Sequence, residues 1–242
     1  MRFEGGMTKN FTPLISIILP TNAADLELRR CIDSIRILMP SHNICEIVIV
    51  TTKSCHDVIT ETYIAEKVIL EAGKGIYAAM NEGVRKSTGD YLYFIGKDDI
   101  LLPAVLEAID IIKSNQPKIL CFDVYYGSTG NYSGRPILLK LLVKNLCHQG
   151  LIYSREIFKK HGPYTKSMKV QADHYLNIKI LSALQKKDIY YSNKPIAIYS
   201  NTGFSNVNRD KLFRSLFPLI LKKYVGKWAF WLILIARFIK RV

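Results

Sequence analysis

The sequence predicts an α/β fold in which helices flank a doubly wound, mostly parallel β-sheet. Three short apolar runs predict buried strands, at Leu14–Leu19, Glu46–Val50 and Ala65–Leu70. Between the first two runs, Asp25–Leu38 carries apolar residues at helical spacing. Strands that alternate with helices in this way are typical of parallel sheets joined by right-handed crossovers.

The first strand and helix have clear boundaries. Leu14–Leu19 is rich in isoleucine and bounded by Pro13 and Pro20, as expected of a central strand that is buried on both faces. The helix that follows ends before Pro40, because proline cannot continue a helix. We therefore expect the loop Pro20–Asn22 at the carboxyl end of the first strand.

The middle of the chain carries the main sign of chemistry. Gly75 opens a helical pattern, turn-forming residues stop it at Ser87–Asp90, and the aromatic-rich strand Tyr91–Ile95 follows. This strand delivers Asp98 and Asp99 at its carboxyl end, where open α/β sheets place their chemistry. A divalent cation that carries a phosphate ligand would relieve the repulsion between two adjacent carboxylates.

Further elements are predicted in the second half: a helix Pro103–Ser114, a strand Lys118–Tyr126, a loop or hairpin Gly127–Pro136 that is a candidate lid, a helix Ser154–His161 and a strand Ile196–Tyr199. Another helix opens at Gln171, with Asp173 and His174 in its first turn. An aspartate at a helix start is also an ordinary N-cap. Lone histidines such as His148 and His174 are either metal or phosphate ligands or, more often, structural.

Composition bounds the class of protein and its partners. The chain has 242 residues, enough for one sizeable α/β domain, and a formal net charge of +14. Such a charge favours an acidic partner: nucleotide phosphates, nucleic acid or an anionic membrane. Five scattered cysteines without a C-x-x-C pair predict reduced thiols and no zinc site. Residues 1–13 lack the apolar core of a signal peptide, so we expect a cytoplasmic protein.

The last segment, residues 207–242, is both basic and apolar. Residues 209–242 hold nine Lys or Arg against one Asp, and the uninterrupted apolar run Trp228–Ala236 has nine residues. A membrane-spanning helix needs about twenty. Short apolar runs flanked by Lys, Arg and Trp instead favour amphipathic helices that lie in the membrane interface. A helix that packs on the core or forms an oligomer is the alternative.

Two motifs resemble those of family 2 glycosyltransferases of the GT-A fold. The first is the helix GIYAAMNEG, residues 75–83, which leads to the strand ending in Asp-Asp. The second is His148-Gln149, followed about two dozen residues later by Ala172-Asp173. The resemblance covers roughly residues 14–206. It implies a GT-A catalytic domain over residues 1–206, with a nucleotide-sugar half at about 14–126 and an acceptor half at about 127–206.

The resemblance also implies roles for single residues. Asp99 would bind Mg²⁺ or Mn²⁺ at the diphosphate, Asp98 would contact the ribose or the metal shell, and Asp173 would be the general base. Further nucleotide-sugar contacts are expected from Pro20, Thr21, Thr51, Gly75, Asn81, Lys97, His148 and Gln149. The family's reaction is a single displacement, which inverts the anomeric carbon.

The chain departs from the family pattern at four positions. Thr51, Gly73 and Ala78 stand where relatives often carry Asp, and Lys97 replaces a small or polar residue. The Asp at the position of Thr51 receives the uracil N–H in relatives, and a hydroxyl can still bond a base. Lys97 would neutralise the neighbouring carboxylates or reach the diphosphate, and the alternative is a solvated lysine.

These features predict an inverting, metal-dependent glycosyltransferase on the inner face of the cell membrane. We expect it to move a sugar from a nucleoside diphosphate, which the resemblance implies is UDP, to a lipid-linked saccharide in O-antigen or capsule synthesis, and we expect no nucleic-acid partner. A non-catalytic GT-A-like module that binds membrane or nucleic acid is the main alternative. A sugar nucleotidyltransferase would need a Gly-rich basic loop after the first strand, and residues 20–24 are not one.

Overall fold

A computed structural model describes residues 12–127, 130–200 and 210–239 of the chain. Its strands are β1 (Ile15–Thr21), β2 (Cys45–Thr51), β3 (Lys67–Leu70), β4 (Tyr91–Phe94), β5 (Ile100–Leu101), β6 (Ile119–Tyr126), β7 (Asn131–Tyr132), β8 (Leu151–Ser154) and β9 (Ile189–Tyr199). Its α-helices are α1 (Leu26–Leu38), α2 (Lys53–Thr62), α3 (Ile76–Lys86), α4 (Ala104–Asn115), α5 (Arg155–His161), α6 (Ala172–Ala183), α7 (Lys211–Tyr224) and α8 (Lys227–Ile239).

The strands form one sheet in the order β3-β2-β1-β4-β8-β6-β9-β5, and β7 pairs with β6. The first four strands in this order are parallel, so the predicted α/β class with a mostly parallel sheet is confirmed. Strand β8 runs antiparallel to both of its neighbours, β4 and β6. The two halves of the chain therefore meet in a single sheet, side by side at β4 and β8.

Hydrophobic layers cover both faces of β1, as predicted for a central strand. Ile15 and Ile17 belong to the layer that contains α1 and α4, whereas Ile18 belongs to the layer that contains α3, α5, α6 and α7. Helix α3 lies close to the sheet because residue 83 is glycine: a Cβ there would lie 2.5 Å from Cγ2 of Ile18. This close approach fixes the helix that carries Tyr77 at its start.

Some elements differ from the sequence-based expectation. Helix α2 was not predicted, because Ile59 is its one buried residue and it has no continuous apolar stripe. Strand β9 begins at Ile189, well before the predicted start at Ile196. Within the expected loop at residues 127–136, Asn131–Tyr132 pairs with β6, so the described part of this segment is hairpin-like.

The described part of the C-terminal tail, residues 210–239, is a helical hairpin. Asp210 caps α7 by accepting from Phe213 N, and the inner side of α7 buries Phe217 and Leu221 in the layer that contains α6. Helix α8 returns along α7 with Ala229 buried between them. Among the described residues, no helix has the length and apolarity that crossing a membrane requires.

Candidate active site

A cleft of about 380 Å³ is lined by residues from both the first and the second half of the chain. Several polar side chains from distant parts of the chain line it: Tyr77, Asp98, Tyr132, Lys144, Asn145, His148, Gln149, Lys169, Asp173 and His174. Pro20, at the end of β1, also lines it. Of the predicted site residues, the structure thus brings together Pro20, Asp98, His148, Gln149 and Asp173.

Asp98 and Asp99 are neighbours in sequence but occupy different environments. Asp98 lines the cleft, whereas Asp99 is fully buried. Oδ2 of Asp99 accepts from Gly96 N at 2.7 Å and from Gln149 Nε2 at 2.9 Å, and Oδ1 accepts from Ser200 N at 3.2 Å. Burial raises the pKa of Asp99 to about 7 despite these donors. The carboxylate of Asp99 therefore does not line the cleft, and the geometry does not support the prediction that Asp99 holds the metal. Of the two neighbouring aspartates, Asp98 is the one that lines the cleft.

Asp173 lies in the first turn of α6, and its carboxylate is held from two sides. Oδ1 lies 2.8 Å from the Tyr77 hydroxyl, whose single proton is shared with the Val170 carbonyl at 2.5 Å, and Oδ2 accepts from Asn145 Nδ2 at 2.6 Å. The N-cap position of α6 is Gln171, so the alternative interpretation of Asp173 as an N-cap is not what the structure shows. Because each carboxylate oxygen has two lone pairs, each keeps one site for another hydrogen bond.

The amide of Asn145 belongs to a longer chain of hydrogen bonds. Its Oδ1 accepts from Asn177 Nδ2 at 3.0 Å, and Oδ1 of Asn177 accepts from the Tyr153 hydroxyl at 2.7 Å. Asn177 and Tyr153 are fully buried. Since Asn145 accepts one bond and donates another, its amide orientation is set, and its Nδ2 must face Asp173.

Two histidines border the cleft in different ways. His148 opens a 3₁₀-helix, His148–Gly150, directly after Cys147, and burial lowers its pKa even though Asp173 and Asp98 oppose the shift. His174 lies with Nε2 2.8 Å from the Leu141 carbonyl. Burial lowers the pKa of His174 as well, so a neutral ring donates to that carbonyl. His148 is thus the histidine available to a ligand.

Gln149 connects the cleft to the buried carboxylate of Asp99. Its side chain donates to Asp99 and accepts from Cys147 Sγ at 2.9 Å. Its backbone carbonyl accepts from the Tyr93 hydroxyl at 2.7 Å. Gln149 therefore has a structural role, in which it joins the His148 segment to the end of β4, and its contact with a ligand stays a prediction.

The other predicted nucleotide-sugar contacts do not line the cleft. Lys97 pairs with Asp25 at 2.6 Å and with Glu27 at 2.5 Å, so its ammonium group is engaged at the start of α1 and does not line the cleft. Asn81 bonds the backbone of Tyr164 in both directions, at 2.8 and 2.9 Å, and is a structural clamp.

Thr21, Thr51 and Gly75 are also outside the lining. Thr21 Oγ1 bonds the backbone of Ala23. Gly75 precedes α3 with φ of 93°, a left-handed conformation that favours glycine. Thr51 is fully buried, and its Oγ1 has no hydrogen-bond partner among the described residues.

Sequence reasoning missed Tyr77, Asn145 and the two cleft lysines, Lys144 and Lys169. The signal for Tyr77 was present, because it stands inside the quoted GIYAAMNEG motif. Asn145 follows an apolar stretch and has no motif of its own. Lys144 lies with Nζ 3.9 Å from the centre of the Tyr132 ring, a cation–π contact that no local pattern indicates.

Comparison with known proteins identifies matches over most of the chain. Residues 16–177 match the model of a family described as "Glycosyl transferase family 2". A "PGL/p-HBAD biosynthesis glycosyltransferase" of Mycobacterium tuberculosis (strain ATCC 25177 / H37Ra) is 33% identical over 225 residues, which cover 86% of this chain and 85% of that protein.

Solved structures match the fold. S. aureus TarS 1-349 in complex with UDP-GlcNAc gives a TM-score of 0.71 at 16% identity, covering 85% of this chain and 65% of that one. Glucosyl-3-phosphoglycerate synthase from Mycobacterium tuberculosis, in complex with Mn²⁺, UDP-glucose and phosphoglyceric acid, gives 0.59 at 18% identity, covering 88% and 80%. At these identities the structures establish a shared fold.

Proposed function

The chain belongs to glycosyl transferase family 2, and from this premise we propose that it moves a sugar, with inversion, from a UDP-sugar to a lipid-linked saccharide. That the protein is a glycosyltransferase follows from the family itself. The observation that carries the proposal is that Asp98 and Asp173 face one cleft from the two halves of the chain. One carboxylate serves the donor side and the other serves the acceptor side.

The donor assignment is supported by the structural relatives. S. aureus TarS was solved with UDP-GlcNAc and the Mycobacterium tuberculosis synthase with UDP-glucose. In this chain the buried Thr51 hydroxyl, at the end of β2, has no partner among the described residues. Thr51 is fully buried and lies outside the cleft lining, so the donor assignment rests on the structural relatives and not on this hydroxyl.

The residues present fit a divalent cation that takes most of its ligands from the substrate. Among the described residues, no three carboxylate, imidazole or thiol groups converge into a closed metal site. Mg²⁺ in nucleotide enzymes is commonly bound by one or two carboxylates plus substrate phosphates. We assign the carboxylate to Asp98, with His148 beside it in the cleft. When bound, Mg²⁺ or Mn²⁺ supplies Lewis-acid stabilisation of the departing diphosphate.

Asp173 performs the proton transfer. The acceptor oxygen attacks the anomeric carbon, the bond from that carbon to the diphosphate oxygen breaks, and the hydroxyl proton passes to Asp173. Tyr77 and Asn145 keep the carboxylate in one orientation, and this reduces the entropy lost on reaching the reactive geometry. A single displacement of this kind inverts the anomeric configuration.

We also propose a peripheral location on the inner face of the cell membrane, where a lipid-linked saccharide for O-antigen or capsule is available. Two contacts join the basic tail to the site, so a tail bound to lipid would hold the site near that lipid. Helix α7 of the basic tail packs on the helix that carries Asp173, because the rings of Phe213 and Phe217 lie 5.0 and 5.7 Å from that of His174. Lys169, which lines the cleft, donates its backbone N–H to Asp210 at 2.6 Å.

A donor screen tests the proposed function. Purified protein is incubated with Mn²⁺ or Mg²⁺, a panel of UDP- and GDP-sugars and a lipid-linked saccharide, and release of the nucleoside diphosphate is measured. We expect release from a UDP-sugar that requires both the cation and the acceptor. No turnover with any donor, together with salt-sensitive nucleic-acid binding, would instead support the non-catalytic module.

A further inference from the structure

The C-terminal hairpin turns an apolar face towards solvent. The exposed large side chains of α8 recur at spacings of three and four, which places them on one side of the helix: Trp228, Trp231, Leu232, Ile235, Phe238 and Ile239, each 50–71% exposed. Leu212, Leu216 and Leu219 of α7 are 37–55% exposed. We call these nine residues the hairpin face.

The orientation of this face is set by packing on the opposite side of α8. Ala229 is fully buried, and Ile233 packs against the layer that contains α6 and α7. Lys222 Nζ lies 5.4 Å from the centre of the Phe230 ring. Helix α8 therefore has an inner side that is already satisfied, and its apolar outer side is left for another partner.

The charge of the hairpin favours an anionic partner. Residues 210–239 contain Lys211, Arg214, Lys222, Lys223, Lys227 and Arg237 against one acid, Asp210. Asp210 is already engaged, because its oxygens accept from Phe213 N and Lys169 N. Lys222, Lys223 and Lys227 are exposed. The hairpin is thus apolar on one face and has a net positive charge.

We propose that the hairpin face lies in the headgroup region of an anionic lipid bilayer, with α8 parallel to the membrane plane. Thirteen residues of helix span about 20 Å, less than the roughly 30 Å of a hydrocarbon core. Tryptophans and flanking lysines are typical of interfacial helices. A second copy of this chain would place two positive hairpins together, whereas anionic headgroups attract the lysines.

This surface deepens the proposed function, because the same hairpin packs behind the cleft: Phe213 and Phe217 contact the ring of His174, and Asp210 accepts from the backbone N–H of Lys169. A bilayer bound at the hairpin face would hold the acceptor side of the cleft near lipid-linked saccharides. Lipid binding itself does not require donor, cation or turnover. Either proposal can therefore fail while the other holds.

The two tryptophans of the chain, Trp228 and Trp231, both lie on the hairpin face, so tryptophan fluorescence, excited at a wavelength that tyrosine does not absorb, reports on this surface alone. Full-length protein is titrated with vesicles of phosphatidylglycerol and phosphatidylcholine, and with vesicles of phosphatidylcholine only, without donor. We expect a blue shift and quenching by bromine-labelled acyl chains with the anionic vesicles. We also expect co-sedimentation that weakens as salt rises.

Matched variants locate the effect. Leu232→Ser with Ile235→Ser should weaken partitioning into anionic vesicles at least about tenfold, while both tryptophans remain. Val58→Ser with Ile64→Ser removes two exposed apolar side chains elsewhere and should leave partitioning unchanged. Circular dichroism verifies that each variant folds. If the Leu232→Ser and Ile235→Ser variant does not fold, a second variant, Lys222→Gln with Lys223→Gln, tests the same surface and should show a weaker preference for anionic vesicles.

Two results would overturn the proposal. One is the absence of both fluorescence change and co-sedimentation with anionic vesicles. The other is a dimer in lipid-free solution, measured by light scattering, that dissociates in the Leu232→Ser and Ile235→Ser variant while vesicle binding is absent. That second result would assign the hairpin face to a second copy of the chain.

Discussion

The side-chain amide of Asn145 donates a 2.6 Å hydrogen bond to Oδ2 of Asp173, while the Tyr77 hydroxyl reaches Oδ1 at 2.8 Å. The two donors come from the segment before His148 and from the start of α3. The carboxylate is thereby fixed relative to both halves of the sheet. A base must meet the acceptor hydroxyl in one geometry, so we expect this fixed orientation to raise kcat.

Replacing Asn145 with alanine should lower kcat by roughly 10- to 100-fold, because the carboxylate of Asp173 loses one of its two orienting donors. The donor KM should change little, since the amide faces the base. Steady-state kinetics separate the two constants. Asn131→Ala is a matched control: it removes an Asn–Asp bond of 3.0 Å to Asp123, outside the cleft lining. Equal kcat in Asn145→Ala and the parent would refute the positioning role.

Removing the Tyr77 hydroxyl with phenylalanine should lower both kcat and stability. Burial and Asp173 raise the pKa of Tyr77, so the hydroxyl stays protonated and acts as a donor. Loss of a buried hydrogen bond costs about 1 kcal/mol of unfolding free energy. Tyr91→Phe removes a comparable bond, to Pro117 O at 2.9 Å, and should reduce stability in chemical denaturation without affecting kcat. A Tyr77→Phe enzyme with the kinetics of the Tyr91→Phe enzyme would contradict this.

The pair Asp98→Asn and Asp99→Asn distinguishes the cleft-facing carboxylate from the buried one. We expect Asp98→Asn to lose Mn²⁺ binding and at least about 100-fold of metal-dependent turnover. Asp99→Asn should retain Mn²⁺ binding, because that side chain accepts backbone and Gln149 N–H groups and does not reach the cleft. Titration with Mn²⁺ followed by electron paramagnetic resonance measures both. The reverse pattern would return the metal to Asp99.

Glu46 makes stability depend on pH. Burial opposes its charge, but bonds from Ser16, Thr88 and Gly89 outweigh burial and lower its pKa. A carboxylate whose pKa is lowered by folding stabilises the protein above its unfolded pKa, near 4.5, and loses this contribution as pH falls through the folded pKa. Unfolding free energy should therefore fall on acidification from about pH 5 to pH 3.

In Glu46→Gln the unfolding free energy at pH 7 should be lower by about 1–2 kcal/mol, and the drop on acidification should be smaller. Urea titrations at several pH values measure both quantities. Glu61→Gln replaces an exposed carboxylate and should behave like the parent. An unchanged acid profile in Glu46→Gln would show that Ser16, Thr88 and Gly89 do not stabilise the charge.

Much of the fold was predictable because the first strands and α1 are continuous apolar patterns. Strand β8 was not, because four buried residues, Leu151–Ser154, are too short a pattern to assign. The local sequence pattern also could not predict the direction in which a side chain at the end of a strand points. Lys97 turns towards Asp25 and Glu27, which are about seventy residues earlier in the chain.

The same limit applies to the candidate site. Asp98 and Asp173 were predictable from motifs, and both line the cleft. Which of the adjacent Asp98 and Asp99 faces the cleft depends on donors from Gln149 and Ser200, far away in sequence. Asn145 could not be predicted for a similar reason, because its role depends on hydrogen bonds to Asp173 and Asn177, which are close to it only in the folded chain.

The central claim, that Asp173 accepts the acceptor's proton, is tested most directly by Asp173→Asn. Binding of the UDP-sugar is measured by calorimetry, and transfer is measured by product formation on the lipid-linked saccharide. We expect the donor Kd to stay within about threefold of the parent while transfer falls by at least roughly 100-fold. Transfer by Asp173→Asn at the parent rate would contradict the account.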